Sequence, residues 1–216
     1  MKIHRLDRSN SVLNNFISEI RDLNIQKDSM RFRRNIERIG EILSYELSKE
    51  LDYKEIDINS PLGIKKISLC ENDLVLCSVL RAGLTLHQGV LNYFDQIENA
   101  FISAYRHHTS GDDFDIVVEY LASPSLDQKV LILADPMLAT GRSLVAVYDT
   151  LKKSGNIKQT HLVAVIASTE GIDYIKNYFP ENTHLWVATI DDKLNKKGYI
   201  VPGLGDAGDL AFGTKL

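Results

Sequence analysis

The chemistry-bearing residues of this chain sit where apolar runs end. "DPMLATGRS", residues 135 to 143, follows "KVLILA" and leads into a helical pattern that starts near Ser143. A helix start carries N–H groups without partners and a partial positive charge, and Gly141 lets a phosphate come close to the chain. Thr140 and Ser143 add hydroxyl donors and Arg142 a positive charge, while Asp135 is an acceptor suited to the paired hydroxyls of a ribose. The stretch matches neither the P-loop nor the GxGxxG pattern, and taken alone it also reads as an ordinary strand-to-helix turn.

A second turn repeats the plan. "CSVLRAGLTL", residues 77 to 86, is an apolar strand followed by Arg81, Ala82 and Gly83 and then a helix. Small residues there let backbone amides face a diphosphate, and a guanidinium binds phosphate oxygens bidentately. A third apolar run, "NAFISAY", ends in Arg106. Parallel strands would bring Arg81, Arg106 and the 135 to 143 loop to one sheet edge, although either arginine alone reads equally as a surface ion pair.

The carboxyl-terminal "KKGYIVPGLGDAGDLAFGTKL" crowds Gly198, Gly203, Gly205, Gly208 and Gly213 into a segment that reads as neither regular helix nor strand. Ordered loop backbone of this kind can read a flat heterocycle edge on. Pro202, Ile200, Val201 and Leu204 argue for a segment packed in place, and Asp206 supplies a polar handle.

These turns need elements to hold them. Residues 28 to 51 space Phe32, Ile36, Ile39, Leu43, Leu47 and Leu51 as one face of a long helix, with Asp28 or Ser29 as its cap. Its "RFRR" cluster opposes the helix dipole and reads as a solvated face, an anion site or a subunit contact. "INSPLG", residues 58 to 63, reads as a loop. From residue 73 onward, short Val, Ile and Leu runs alternate with helical stretches at 84 to 94, 143 to 154 and 170 to 178. That alternation predicts an α/β fold with a parallel sheet covered on both faces, whose ligands bind beyond the carboxyl ends of the strands. "RHHTSGDDFDIVVEY" breaks the pattern and reads as a hairpin or flap.

Composition narrows the classes. The 216 residues, 44% hydrophobic, suffice for one sizeable core, and a net charge of -4 provides no global basic field for nucleic acid. Cys70 and Cys77 lack metal-ligand spacing and read as buried free thiols. No stretch has the pattern of a signal peptide or a membrane span, so the expectation is a cytoplasmic protein with neither nucleic-acid nor membrane partner and no protein-held metal.

The three motifs together resemble the uracil phosphoribosyltransferases, a branch of the type I phosphoribosyltransferases. "DPMLATG.S" resembles that family's phosphoribosyl diphosphate (PRPP) loop, "LRAG" its diphosphate loop, and "GYIVPGLGDAGD" its uracil-binding segment. The likeness runs from "RFRRNIERIGEILSYEL" to the carboxyl end, with Ser78 standing where the family commonly has Pro before "LRAG". It implies a type I phosphoribosyltransferase fold: a central, mostly parallel sheet flanked by helices, a flap hairpin, and a small hood that includes the C-terminal segment. The chain then reads as a single domain, 1–216, with N-terminal helices at about 10–51, a core at about 70–190 and a base-binding segment at about 191–216.

The resemblance further implies that Arg81, Ala82, Gly83 and Arg106 contact PRPP. It implies that Asp135, Pro136, Met137, Leu138, Ala139, Thr140, Gly141, Arg142 and Ser143 hold the ribose and 5-phosphate. Ile200, Gly205, Asp206 and Ala207 would receive uracil, with Asp206 near both substrates and a candidate base or ring anchor. Arg81, Arg106, Asp135 and Asp206 are thus the expected catalytic residues, Mg²⁺ is expected to arrive with PRPP, and a homo-oligomer, dimer or tetramer, is expected. Two alternatives stand beside this: a non-catalytic nucleotide- or PRPP-binding regulatory relative, and an enzyme of the same fold that takes a purine.

Overall fold

The structure is a computed structural model that describes residues 1–108 and 114–215, and of residues 106–108 and 114–116 the backbone alone. The chain opens with strand β1 (Lys2–Arg5), a short 3-10 turn and helix α1 (Leu13–Arg21). Helix α2 (Ser29–Ser48) follows, started by Asp28, whose carboxylate accepts from the Arg31 N–H and satisfies one orphan donor of the first turn. Its Phe32, Ile36, Ile39, Leu43 and Leu47 are all buried, as the spacing predicts.

Next comes a hairpin of β2 (Tyr53–Ser60) and β3 (Gly63–Cys70), paired antiparallel from Tyr53↔Cys70 to Ser60↔Gly63. Most of "INSPLG" is therefore strand and only residues 61 and 62 turn, which corrects the reading of 58 to 63 as a loop. The Ser, Pro and Gly of this stretch mark the turn and mask the strand ends beside it, and neither face of the hairpin is buried. The hairpin also corrects the expectation for Cys70, which is free but exposed, while Cys77 is free and buried.

The core then runs through β4 (Leu74–Leu80), α3 (Gly83–Leu91), β5 (Glu98–His108), β6 (Phe114–Ala122), β7 (Val130–Ala134), β8 (Met137–Leu138) and α4 (Arg142–Leu151). After α4 come β9 (Gln159–Ser168), α5 (Thr169–Ile175), β10 (His184–Asp191), β11 (Lys193–Leu194), β12 (Ile200–Val201) and α6 (Ala207–Phe212). Among the described residues the central sheet has the order β1-β10-β9-β7-β4-β5-β6, with β8 paired to β9. All neighbours are parallel except β5 and β6, the expected antiparallel hairpin, whose tip lies outside the described residues.

Both faces are covered. Leu76, Ile132 and Val165 pack with Phe32, Ile39, Leu43 and Leu86 of α2 and α3, while Cys77, Leu133 and Ala164 pack with Leu144, Val147 and Ile175 of α4 and α5. Two-sided burial explains the near-continuous apolar runs, since every side chain of a central strand meets a helix.

At the amino ends of β9 and β10 a histidine cluster fills the sheet surface. Trp186 Nε1 donates to His161 Nδ1 over 3.0 Å, which leaves the imidazole proton on Nε2. Burial, reinforced by the neighbouring His184 and His4, pushes His161 down to about 3. His4 stacks on Trp186 with ring centroids 3.6 Å apart.

Candidate active site

The chain leaves β4 through α3 toward β5 and leaves β7 through α4 toward β9, and β4 and β7 are neighbours. The carboxyl ends of these two strands thus flank a topological switch point, the place where an open parallel sheet forms a crevice. The β4 end carries Arg81, Ala82 and Gly83; the β7 end carries residues 135 to 143.

Two close approaches shape the β4 end. A Cβ on Gly83 would meet the Ala134 carbonyl at 3.2 Å and Ser78 Cβ at 3.3 Å, so this loop packs against the last residue of β7. Buried Ser78 shares a 2.7 Å hydrogen bond between Oγ and His87 Nδ1 of α3, a fixed tie at the position where a proline would stiffen the chain otherwise.

The β7 end is pinned on its β9 side. The Pro136 carbonyl accepts from Val165 and Ile166 N–H at 3.0 Å each, and the Ala139 carbonyl accepts from Ser168 Oγ at 2.6 Å. Helix α4 starts at Arg142, one residue before the expected Ser143. Gly141 has φ +77°, and a Cβ there would meet Ile175 Cγ2 at 2.7 Å, so the backbone conformation and the packing against α5 both require glycine. The N–H groups of Thr140 and Gly141 have no hydrogen-bond partner among the described residues, which leaves donors at the helix start for an anion. Arg142 is exposed.

Asp135 is the first residue beyond β7. Its Oδ1 accepts from Met137 N–H at 3.1 Å, but burial dominates and raises the carboxyl to about 6.

The C-terminal segment closes the third side. Residues 200–201 pair with β11, Ile200 and Ala207 are buried, and Asp206 caps α6 by accepting from Asp209 N–H at 3.0 Å. A short strand and a helical turn therefore exist where the glycines suggested neither. Burial presses Asp206 upward, yet the Asp209 N–H, the Lys215 ammonium at 3.2 Å and the Gly208 N–H together outweigh it and hold the carboxyl below its ordinary value. Gly205 has φ +97°. Arg81 Nη2 donates to Asp209 Oδ1 and to the Gly213 carbonyl, both at 3.1 Å, and so joins the β4 loop to this segment.

Arg106 lies on β5 with its backbone paired to Ile116, beside β4; its side chain, and those of His107 and His108, lie outside the described residues. The "RFRR" cluster resolves into ion pairs, Arg31 with Glu19 and Arg34 with Glu37, while Arg33 Nη1 donates to the Ala211 carbonyl at 2.7 Å.

Residues 8–214 match the family model described as uracil phosphoribosyltransferase. The chain belongs to this family. The uracil phosphoribosyltransferase of Porphyromonas gingivalis is 50% identical over 216 residues, covering 100% of each chain. That of Thermococcus gammatolerans is 38% identical over 203 residues, 93% of this chain and 88% of its own. A solved protein structure from Aquifex aeolicus, 29% identical, superposes with a TM-score of 0.86 over 99% of each chain. A hypoxanthine phosphoribosyltransferase structure from Staphylococcus aureus, 15% identical, has a TM-score of 0.50 over 87% of this chain and 84% of that one, and shows the shared fold.

For this uracil phosphoribosyltransferase family member the sequence motifs left out several residues that the structure brings to the site. Asp209 was within reach, being the second acid of "GDAGD". Arg21, Arg33 and Asp191 were not: their partners lie far away in sequence and no local pattern marks them.

Proposed function

We propose that the protein transfers the 5-phosphoribosyl group of PRPP to N1 of uracil, forming UMP and diphosphate. The observation that carries this is the junction at the switch point, where the Arg81 loop and the Asp135 to Ser143 loop lie on adjacent strand ends and Arg81 bonds the C-terminal segment. Family membership supports it, and Arg81, Asp135 and Asp206 are all present, which disfavours the regulatory reading. The purine reading is disfavoured by the "GYIVPGLGDAGD" segment.

Breaking the bond between ribose C1 and diphosphate places positive charge on the sugar and negative charge on the leaving group. Arg81 and Arg106, with Mg²⁺ entering on PRPP, stabilise the diphosphate; the amides at Thr140 and Gly141 and the Ser143 hydroxyl receive the 5-phosphate. Asp135 orients the ribose hydroxyls. Uracil is read by main-chain groups of Ile200 and Gly205 to Ala207. Asp206, a depressed carboxylate that caps α6, is a weak base, so its role is to fix this segment, and the N1 proton passes to an oxygen of the departing diphosphate as the N1–C1 bond forms. The β5–β6 flap excludes water from the sugar carbon.

The reading places the enzyme in the cytoplasm, serving pyrimidine salvage. No helix among the described residues is long and apolar enough to cross a membrane. The exposed Ile56, Ile64, Ile67 and Leu69 of the β2–β3 hairpin support a homo-oligomer, which sedimentation equilibrium would measure. The deciding assay supplies PRPP and Mg²⁺ with uracil, cytosine, hypoxanthine, adenine or orotate in turn. UMP from uracil alone is expected; no nucleotide from any base, despite PRPP binding, would bring the regulatory reading forward.

A further inference from the structure

We infer that Arg21 and Asp191 are positioning residues for the base: together they clamp both main-chain groups of Gly203 and thereby set the segment that receives uracil, an assignment that rests on the function proposed above. Arg21 is the last residue of α1 and Asp191 the last of β10. The guanidinium spans the carboxylate, Nη1 to Oδ2 and Nη2 to Oδ1, at 2.8 Å each. Arg21 Nη1 also donates to the Gly203 carbonyl at 3.0 Å, and Gly203 N–H donates to Asp191 Oδ2 at 2.8 Å. Four hydrogen bonds thus form a closed cycle of three residues.

The clamp is itself held. Asp191 is only 9% exposed. Gln26 Nε2 donates to the Arg21 carbonyl at 3.0 Å and fixes the end of α1. Arg21 Nη2 approaches Thr189 Oγ1 at 3.4 Å, and that hydroxyl donates to Asp7 Oδ2 at 2.7 Å. The clamped residue has no freedom to relax by substitution, because Gly203 has φ +62° and a Cβ there would lie 2.1 Å from the Ile200 carbonyl oxygen.

Gly203 sits between Ile200 and Gly205 to Ala207, the two parts of the proposed base seat. A seat made of peptide groups has no side chain to adjust its donors and acceptors, so its selectivity depends on where the backbone is fixed. Uracil and cytosine differ at ring position 4 by an acceptor replaced with a donor, and a displaced peptide group loses that distinction. Among the described hydrogen bonds of Arg21 and Asp191, none goes to residues 81–83 or 135–143, so the clamp acts on the base and not on PRPP.

The test compares the wild-type chain with Arg21→Met and Arg21→Lys in initial-rate kinetics for both substrates, with cytosine as competitor, and follows amide hydrogen exchange across residues 200–206. For Arg21→Met the KM for uracil is expected to rise on the order of tenfold or more with the KM for PRPP within about twofold, and exchange at 203–204 to accelerate. Arg21→Lys keeps the charge beside Asp191 but cannot fork across its two oxygens, so it falls between the two and serves if Arg21→Met does not fold. Equal changes in both KM values, or a loss of thermal stability with unchanged KM and unchanged exchange, would overturn the clamp. A wild-type chain that makes no UMP overturns the proposed function instead, and the exchange measurement still decides whether Arg21 holds Gly203.

Discussion

Arg81 and Asp209, 128 residues apart in the chain, meet through a 3.1 Å hydrogen bond between Nη2 and Oδ1. The guanidinium proposed to receive diphosphate is therefore already engaged by a carboxylate of the C-terminal segment. Diphosphate and Asp209 compete for one cation. The pair is partly exposed, so it is worth up to about 1 kcal/mol. Asp209→Asn is expected to lower the KM for PRPP by up to about fivefold, since about 1.4 kcal/mol is tenfold. Arg81→Met is expected to cut kcat by about 100-fold or more, because it removes a donor aimed at the leaving group. Steady-state kinetics with PRPP varied measures both, and a rise in KM for Asp209→Asn would refute the competition.

Asp135 and His161 bias the acid stability of the fold in opposite directions. Asp135 titrates near 6 when folded against an ordinary 3.8, so the native state holds the extra proton between these values and loses stability as pH rises through them. His161 is lowered to about 3 from 6.5, so the unfolded chain holds the extra proton and stability is lost as pH falls below 6.5. The two slopes offset one another between about pH 4 and pH 6. Asp135→Asn removes one of them, and urea unfolding should show the acid slope steepened by about one proton, or about 1.4 kcal/mol per pH unit. The same variant should lose an acid limb near pH 6 in kcat/KM for PRPP, where wild-type Asp135 must ionise to accept from the ribose hydroxyls.

Asparagine caps helices nearly as well as aspartate, whereas alanine does not. If Asp206 serves by fixing the α6 turn, Asp206→Asn retains kcat within about tenfold, while Asp206→Ala costs about 1 kcal/mol of local stability and raises the KM for uracil. A general base would reverse this, with both variants losing kcat alike. Parallel assays of the two proteins separate the roles.

Gly141→Ala combines a left-handed backbone position with a Cβ placed 2.7 Å from Ile175 Cγ2 and 2.9 Å from the Gly171 carbonyl. The expected loss is about 1–3 kcal/mol in denaturant unfolding, with the KM for PRPP raised as the loop shifts away from α5. An unchanged midpoint would show that α5 yields at no cost.

The sheet and the two strand-end loops were legible because parallel strands buried on both faces write themselves as unbroken Val, Ile and Leu runs, and because Gly and Arg after such runs have few structural uses. β1 was not: its "KIHR" is four residues long and pairs with β10 at a sheet edge that leaves Lys2, Ile3 and Arg5 exposed, with only His4 packed on Trp186. The β2–β3 hairpin was misread for the related reason that it meets no core. At the site, the motifs named the residues proposed to touch substrate, while Arg21, Asp191 and Arg33 bond to other residues' backbone and leave no local trace. The spacing of "RFRR" pointed to a surface role, yet Arg33 reaches Ala211 across 178 positions, a partner that only the folded chain brings near.

The unlike surroundings of the two thiols provide a spectroscopic handle without any mutation. Cys77 is enclosed beneath α4 and α5 with its thiol pushed up to about 12 by burial, so it is inert to alkylation at neutral pH, whereas Cys70 ends the exposed strand β3. A maleimide dye would therefore mark one site, on the outlying hairpin and away from the crevice. An environment-sensitive dye at that single site would report whether the hairpin becomes covered as protomer concentration rises, on an otherwise native chain.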